Sequence, residues 1–204
     1  MTEDKLRELL SVGRETESLE VKPGLSRLDQ IAAARVTRAA LGMANHEGGG
    51  WVVVGVEEAA DGTFVLAGVP QADVSSWSHD DVSAMINGCA DPHIEVEISH
   101  VTLEAKSFVV IRIQEFVDIP VVCRRQGPTP VNDRQVYRKD TCYARSRRKP
   151  ETVEAASDST TWRTLMELAG LKAVKRFGRL ASQVAAEATP TDGERYKAQI
   201  ADLS

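Results

Sequence analysis

The stretch that decides the fold is Gly48-Gly-Gly-Trp-Val-Val-Val-Gly-Val-Glu-Glu58. Its apolar run, from Trp51 to Val56, is short and continuous, which is typical of a central strand covered on both faces. The glycines before this run favour a tight helix-to-strand turn with positive φ. A Walker phosphate loop needs Lys and then Ser or Thr after its last glycine, and Trp51 stands there instead, so we expect no ATP binding.

Periodic patterns on both sides of this strand predict its neighbours. Upstream lie a short helix over residues 3–11, a strand over residues 17–22 and an apolar-faced helix from about Ser26 to Asn45. Downstream, Thr63 to Val69 predicts a strand, Ser78 to Asn87 a helix, and Ile94 to Val101 a strand that forms a hairpin with Ser107 to Phe116. Two more short strands are predicted, over residues 120–124 and 135–139, and Pro150-Glu151 suits the first turn of a further helix.

These elements predict an α/β (α+β) fold with a mixed β-sheet flanked by helices. We place this domain at residues 1–155 and a helical C-terminal extension at residues 156–204. An apolar stripe runs along residues 161–180, and the alanine-rich end from about Ala185 is expected to be poorly ordered.

Composition favours a protein of the reducing cytoplasm. Apolar residues make up 42% of the 204 residues, no apolar stretch approaches the length of a membrane span, and the N-terminus does not resemble a secretory signal. The three cysteines, Cys89, Cys123 and Cys142, are odd in number and contain no C-x-x-C pair. A disulfide framework and a zinc knuckle are therefore not expected.

Charge is distributed unevenly along the chain. The formal net charge is -5, yet the segment from Cys123 to Lys149 contains nine basic residues against the two acids Asp133 and Asp140. Such a local excess attracts phosphate even when the total charge is negative, although a solvated strand edge is the alternative interpretation. The predicted phosphate contacts in this segment are Arg138, Lys139, Arg145, Arg147, Arg148 and Lys149, and Lys22, far earlier in the chain beside the first acidic cluster, is a further predicted contact.

Two acidic clusters flank the helix that ends near Asn45. The first contains Glu15 and Glu20, and the second is Glu57-Glu58 at the end of the decisive stretch. Carboxylates at the edges of two neighbouring strands can converge on a divalent metal ion. The alternative is that all of them are exposed acids at strand ends.

In order along the chain, these features resemble one known family. The shared pieces are Glu15-x-Glu-x-Leu-Glu-Val-Lys22, Ala44-Asn-x-x-Gly-Gly49, Val52-Val-Val-Gly-Val-Glu-Glu58, Asp61-Gly62 with Gly68-Val69, Val136-Tyr-Arg138, and Tyr143-Ala-Arg-Ser146. The arrangement, over roughly residues 10–155, is similar to the Schlafen-type AlbA_2 domain.

The resemblance implies specific roles for the acidic residues. In nuclease members of the family, three carboxylates form a metal-dependent RNA-cutting site, and by position they fall on Glu15, Glu20 and Glu58. Mg²⁺ or Mn²⁺ would be the cofactor, and Lys22 would pair with a phosphate. The third position usually holds Asp in the family, so Glu57 is a substitute candidate for Glu58.

Two functions follow as competing hypotheses. The first is a metal-dependent endoribonuclease that acts on structured RNA such as tRNA. The second is a non-catalytic DNA- or RNA-binding regulatory module, and a protein-interaction module is a third class. Relatives pair two such lobes around a basic groove, so the resemblance implies that a homodimer supplies the second lobe here. Neither a membrane partner nor ATP is expected.

Overall fold

A computed structural model describes residues 1–129, 135–146, 151–187 and 193 of the chain. Its main sheet has four strands in the order β1-β2-β7-β6. These strands are β1 Leu19–Lys22, β2 Gly50–Val54, β6 Val96–Leu103 and β7 Lys106–Ile113. Strand β1 is parallel to β2, whereas the β2–β7 and β7–β6 pairs are antiparallel. The sheet is therefore mixed, as predicted.

Two smaller sheets complete the strand inventory of the described residues. One has the order β10-β9-β8-β5 and the other pairs β3 with β4. Their strands are β3 Val56–Glu58, β4 Phe64–Leu66, β5 Ala90–Asp91, β8 Val122–Cys123, β9 Thr141–Arg145 and β10 Thr152–Glu154. The helices are α1 Glu3–Leu10, α2 Gln30–Ala44, α3 Gln71–Val74, α4 His79–Asn87 and α5 Ser159–Glu187, with a 3-10 turn at Ala155–Ser157.

Helix α2 connects the main sheet to the second sheet. It begins at the Asp29 cap, whose carboxylate accepts hydrogen bonds from the backbone N–H groups of Ile31 and Ala32, both at 2.8 Å. It ends at Asn45, whose buried side-chain amide donates to the carbonyls of Val121 and Tyr143 and so fixes the helix end to the second sheet. The turn that follows uses Gly48 and Gly49 at positive φ, as the sequence predicted.

The core is divided by the main sheet. One face packs against α2, α4 and the second sheet, with Trp77 and Ile111 among its fully buried side chains. The other face packs against α1 through Leu6 and Leu10, which contact a cluster that includes Phe108. The predicted fold class, a mixed sheet flanked by helices with a helix at the C-terminal end, is confirmed.

Two local predictions are wrong. The strand predicted over residues 135–139 lies instead at Thr141–Arg145, because Asp140 adopts a φ of 58° and reverses the chain there. The helix predicted to start at Pro150-Glu151 gives way to β10, which pairs with β9, and α5 begins only at Ser159. Pro150 itself lies outside the described residues.

The chain forms two compact units, Met1–Ala169 and Gly170–Ser204. The predicted domain boundary after residue 155 stays a prediction, and most of the tail expected to be poorly ordered lies outside the described residues. Among the helices of the described part, none has the length and apolar character to cross a membrane.

Candidate functional site

A small cavity beside β1 collects several of the predicted site residues. We call it the β1 pocket, and its volume is about 200 Å³. It is lined by Glu15, Glu20, Lys22, Arg35, Arg38, Val136, Glu151 and Thr152. Glu20 and Lys22 reach it together because alternate residues of a strand point to the same face. The intervening Val21 belongs to the apolar cluster on the opposite face.

The Glu20 carboxylate is buried and held by two cations of the protein itself. The Lys22 ammonium lies 2.5 Å from its Oε1 atom. The Arg145 guanidinium is ion-paired with its Oε2 atom, and the Thr152 hydroxyl donates to the same oxygen at 3.3 Å. Glu20 is thus the centre of a buried network of ion pairs and hydrogen bonds that joins β1 to the second sheet.

The Arg145 side chain has no exposed surface. Its Nε atom donates to the carbonyl of Glu17 at 3.0 Å and its Nη2 atom to the carbonyl of Thr16 at 2.9 Å. Arg145 thus fastens the loop before β1 to the end of β9. The prediction that Arg145 contacts phosphate is corrected, because a completely covered guanidinium cannot reach a phosphate in solvent.

Glu15 occupies a different environment within the same pocket. Its Oε1 atom accepts a hydrogen bond of 2.8 Å from the backbone N–H of Val21. Burial raises the pKa of the Glu15 carboxyl above its ordinary value, and this effect outweighs the hydrogen bond from Val21 and the positive charge of Lys22, which lower it.

Two arginines of α2 line the pocket and were missed by the sequence analysis. Arg38 donates from Nη2 to the Thr152 carbonyl at 2.7 Å, and its guanidinium lies 5.5 Å from the centre of the Tyr143 ring. The Nε atom of Arg38 is buried and has no hydrogen-bond partner among the described residues. Arg35 lies one turn earlier and is exposed. Two cations three residues apart in an otherwise uncharged helix were the signal that could have identified them.

The second acidic cluster does not line this pocket. Glu57 and Glu58 are exposed on β3, where they pair with Val65 and Phe64 of β4. Glu20 lies opposite Val52 in the main sheet. Glu58 lies six residues after Val52 in the chain, on the far side of Gly55. The φ of 110° at Gly55 marks the passage from β2 to β3.

The residues present do not fit a divalent metal ion. In the part of the chain that the structure describes, no three His, Cys, Asp or Glu side chains form a group that could hold a metal. Both oxygens of Glu20 already face cations. The structure thus brings Glu15 and Glu20 to one pocket with Lys22, and leaves Glu57 and Glu58 outside it.

The pocket instead has a small excess of positive charge. Its described lining carries three carboxylates and the cations Lys22, Arg35 and Arg38, and Arg145 adds a fourth cation directly on Glu20. A site of this kind suits an anion rather than a second cation.

The remaining predicted contacts lie in the basic segment. Arg138 is exposed and forms an ion pair with Glu154. Lys139 is exposed in the turn before β9. Arg147, Arg148 and Lys149 lie outside the described residues. A role in phosphate binding stays a prediction for these residues.

Comparisons with known proteins bear on the family. Two solved structures resemble the chain: the DIP2311 protein from Corynebacterium diphtheriae, with 17% identity and a TM-score of 0.44, and the N-terminal domain of a RecG-related protein from Nitrosomonas europaea, with 18% identity and a TM-score of 0.47. The matches cover 74% and 68% of this chain, and 26% and 88% of the other two chains respectively. The chain thus spans about a quarter of the Corynebacterium protein.

A search among curated proteins finds none that matches the chain. The family described as "Schlafen, AlbA_2" matches residues 15–154, which is more than half of the chain and includes both acidic clusters and β9. The chain therefore belongs to the Schlafen AlbA_2 family, whose function is related to nucleic acids, as its sequence pattern predicted.

Proposed function

We propose that this protein is a nucleic-acid-binding module whose β1 pocket contacts phosphate. The observation that carries the proposal is the excess of positive charge in the pocket, where Glu20 is already ion-paired with Lys22 and Arg145. Arg35 and Arg38 face two further carboxylates, Glu15 and Glu151, so the site as a whole keeps one positive charge in excess to attract an external anion. Arginine suits this role because its planar guanidinium can donate two hydrogen bonds to one phosphate.

A salt titration tests the proposal. Binding of fluorescent RNA and DNA, single-stranded and folded, is measured by anisotropy as the salt concentration rises. We expect affinity to fall steeply with salt, and Arg35→Gln with Arg38→Gln to reduce the log-log slope by about 0.7–0.9 for each arginine–phosphate pair that is removed. The matched control is Arg163→Gln, an exposed arginine of α5 that does not line the pocket. An unchanged slope in the double variant would refute the proposal.

A metal-dependent endoribonuclease acting on structured RNA such as tRNA is the second candidate. It is favoured by one observation, the presence of Glu15 and Glu20 in a single pocket with Lys22. Incubation of the full chain with tRNA and Mg²⁺ or Mn²⁺ decides between the two. Intact tRNA supports the binding module, whereas cleavage that needs the metal and is abolished by Glu15→Gln would replace it with the nuclease.

We also propose that a second copy of the chain pairs with helix α5. Its apolar stripe is nearly symmetric in sequence about Ala173: Met166 and Leu180 lie seven residues to either side, and Trp162 and Val184 eleven. An antiparallel two-fold pairing needs such self-complementarity. Leu180 and Val184 are 45% and 69% exposed.

Sedimentation of the full chain tests this assembly. We expect a dimer that Leu180→Glu converts to a monomer. The control is Leu171→Glu, which replaces another exposed leucine of α5 that lies off the stripe. A full chain that sediments as a monomer at tens of micromolar would refute the pairing.

A further inference from the structure

We infer that the β1 pocket receives the terminal phosphate of a nucleic-acid strand, in preference to an internal phosphodiester or a divalent metal ion. The inference rests on the proposed function and names the chemical group that this pocket selects. It is carried by the size of the pocket, its charge and one unsatisfied donor.

Size is the first argument. Pockets that enclose a whole small ligand measure roughly 300–1,000 Å³, and the β1 pocket measures about 200 Å³. It can therefore take a group of phosphate size but not an entire nucleotide. Its wall comes from the loop before β1, from β1, from α2, from Val136 in the loop before β9 and from the start of β10.

Charge is the second argument. A phosphate monoester carries about -1.5 to -2 near neutral pH, because its second pKa is near 6. A phosphodiester carries a single negative charge in the same position. The cations Arg35 and Arg38 lie one helical turn apart in the pocket lining, and the four cations of the site, with Arg145 included, exceed its three carboxylates by one charge. The larger charge of the monoester gains more from this cationic field.

The unsatisfied donor is the third argument, and it is independent of net charge. Buried N–H groups almost always have an acceptor, so each exception calls for an explanation. The Nε atom of Arg38 is buried without one among the described residues, although Nη2 of the same side chain is bonded to the Thr152 carbonyl. We assign the role of the missing acceptor to a phosphate oxygen bound in the pocket that Arg38 lines.

A divalent metal fits the same pocket poorly. A metal ion would approach Glu20 against the charges of Lys22 and Arg145, and Glu58 of the predicted carboxylate set does not line the pocket. Nor would a metal ion satisfy the Arg38 donor, since both are positively charged. The observations that disfavour a metal thus favour an anion.

The test uses three labelled oligonucleotides of one sequence, with a 5′-phosphate, a 3′-phosphate or no terminal phosphate, and the full-length protein. We expect one phosphorylated form to bind at least tenfold more tightly than the unphosphorylated form. Arg35→Gln and Arg38→Gln should each reduce that ratio, while Arg163→Gln leaves it unchanged. Arg35 is exposed, so its replacement keeps the test valid if Arg38→Gln fails to fold.

The outcomes separate this inference from the proposed function. Equal binding of all three oligonucleotides would overturn the terminal-phosphate site and leave nucleic-acid binding in place. No binding of any of them at low salt would overturn the proposed function itself. A titration with Mn²⁺ adds one more outcome: binding that requires the metal would assign the pocket to a cation and refute the inference.

Discussion

The two acidic clusters resemble each other in sequence and differ in the folded protein. Glu20 is buried in the main sheet and surrounded by cations, whereas Glu58 is exposed on the β3–β4 hairpin. The difference arises from the elements packed around each strand. Strand β1 is covered by α2 and the second sheet, which deliver arginines to it, while β3 pairs only with β4 in its own small sheet. The neighbours of an acidic residue at a strand edge thus decide whether its side chain is buried in ion pairs or exposed to solvent.

The largest expected effect comes from replacing Arg145, the buried cation that distinguishes the first acidic cluster from the second. Arg145→Met removes one partner of a buried ion pair and leaves Glu20 with Lys22 alone. We expect a loss of about 3–5 kcal/mol in the free energy of unfolding, which is typical when one partner of a buried pair is removed. Urea denaturation followed by circular dichroism measures it.

Lys139→Met is the control for Arg145→Met. It removes an exposed cation from the turn at the opposite end of β9 and should change the free energy of unfolding by less than about 0.5 kcal/mol. Equal effects of the two variants would mean that the burial of Arg145 does not distinguish it from a surface residue.

This contrast shows what the sequence could and could not predict. Strand β1, helix α2 and the β6–β7 hairpin follow from local periodicity, and the pocket residues Glu15, Glu20 and Lys22 follow from a short local pattern. The partners of Glu20 do not, because Arg145 is 125 positions away along the chain and arrives only when β9 packs against α2. Its basic neighbours suggested a surface role that burial excludes.

The strand of the basic segment was misplaced for a related reason. Residues 135–139 have the apolar and aromatic character of a strand, but Tyr137 is buried as a loop residue, with its hydroxyl 3.2 Å from the Cys89 thiol. Tertiary packing outweighs local propensity there. The turn at Lys139-Asp140 then starts β9 two residues later than the predicted strand ends.

A smaller effect should come from the wall behind the pocket. A Cβ atom at Gly42 of α2 would lie 2.6 Å from Cγ2 of Thr152, which is too close for an unchanged structure. We expect Gly42→Ala to cost about 1–3 kcal/mol through overpacking, even though alanine is the better helix former by about 1 kcal/mol. Thermal unfolding measures the cost.

Gly170→Ala on α5 is the matched control for Gly42→Ala. Nothing lies within 4 Å of its new Cβ atom, so it should stabilise the protein by about 0.5–1 kcal/mol. If both alanine variants are more stable than the unaltered protein, the contact between Gly42 and Thr152 relaxes at little cost. The wall of the β1 pocket would then be deformable, and the pocket would not be a preformed site.

The pH dependence of Glu15 distinguishes the clusters in another way. Burial raises its pKa in the folded protein above the ordinary value of 4.5, so folding takes up a proton. The stabilising contribution of Glu15 is then present at low pH and is lost as the pH rises through the folded-state pKa. Glu15→Gln keeps an acceptor for the Val21 N–H and removes the titration. We expect the stability of Glu15→Gln relative to the unaltered protein to increase from pH 4 to 7, in urea unfolding series; a decrease would contradict the burial of this carboxyl.

The smallest expected effect concerns the hairpin. Glu58→Gln and Glu57→Gln alter exposed side chains that have no place in the pocket, so each should change the free energy of unfolding by no more than about 0.5 kcal/mol. Each should leave the preference for a terminal phosphate unchanged, because only a screened surface charge is removed.

The decisive measurement is a tRNA cleavage assay with Mn²⁺ beside the binding assay. If metal-dependent cleavage occurs and Glu58→Gln abolishes it as completely as Glu15→Gln, the two clusters act on one metal after a rearrangement of the hairpin, and the comparison between a closed pocket and a solvated edge fails. If Glu58→Gln changes neither assay, the hairpin acids are solvated surface groups and the chemistry of this protein lies in the pocket alone.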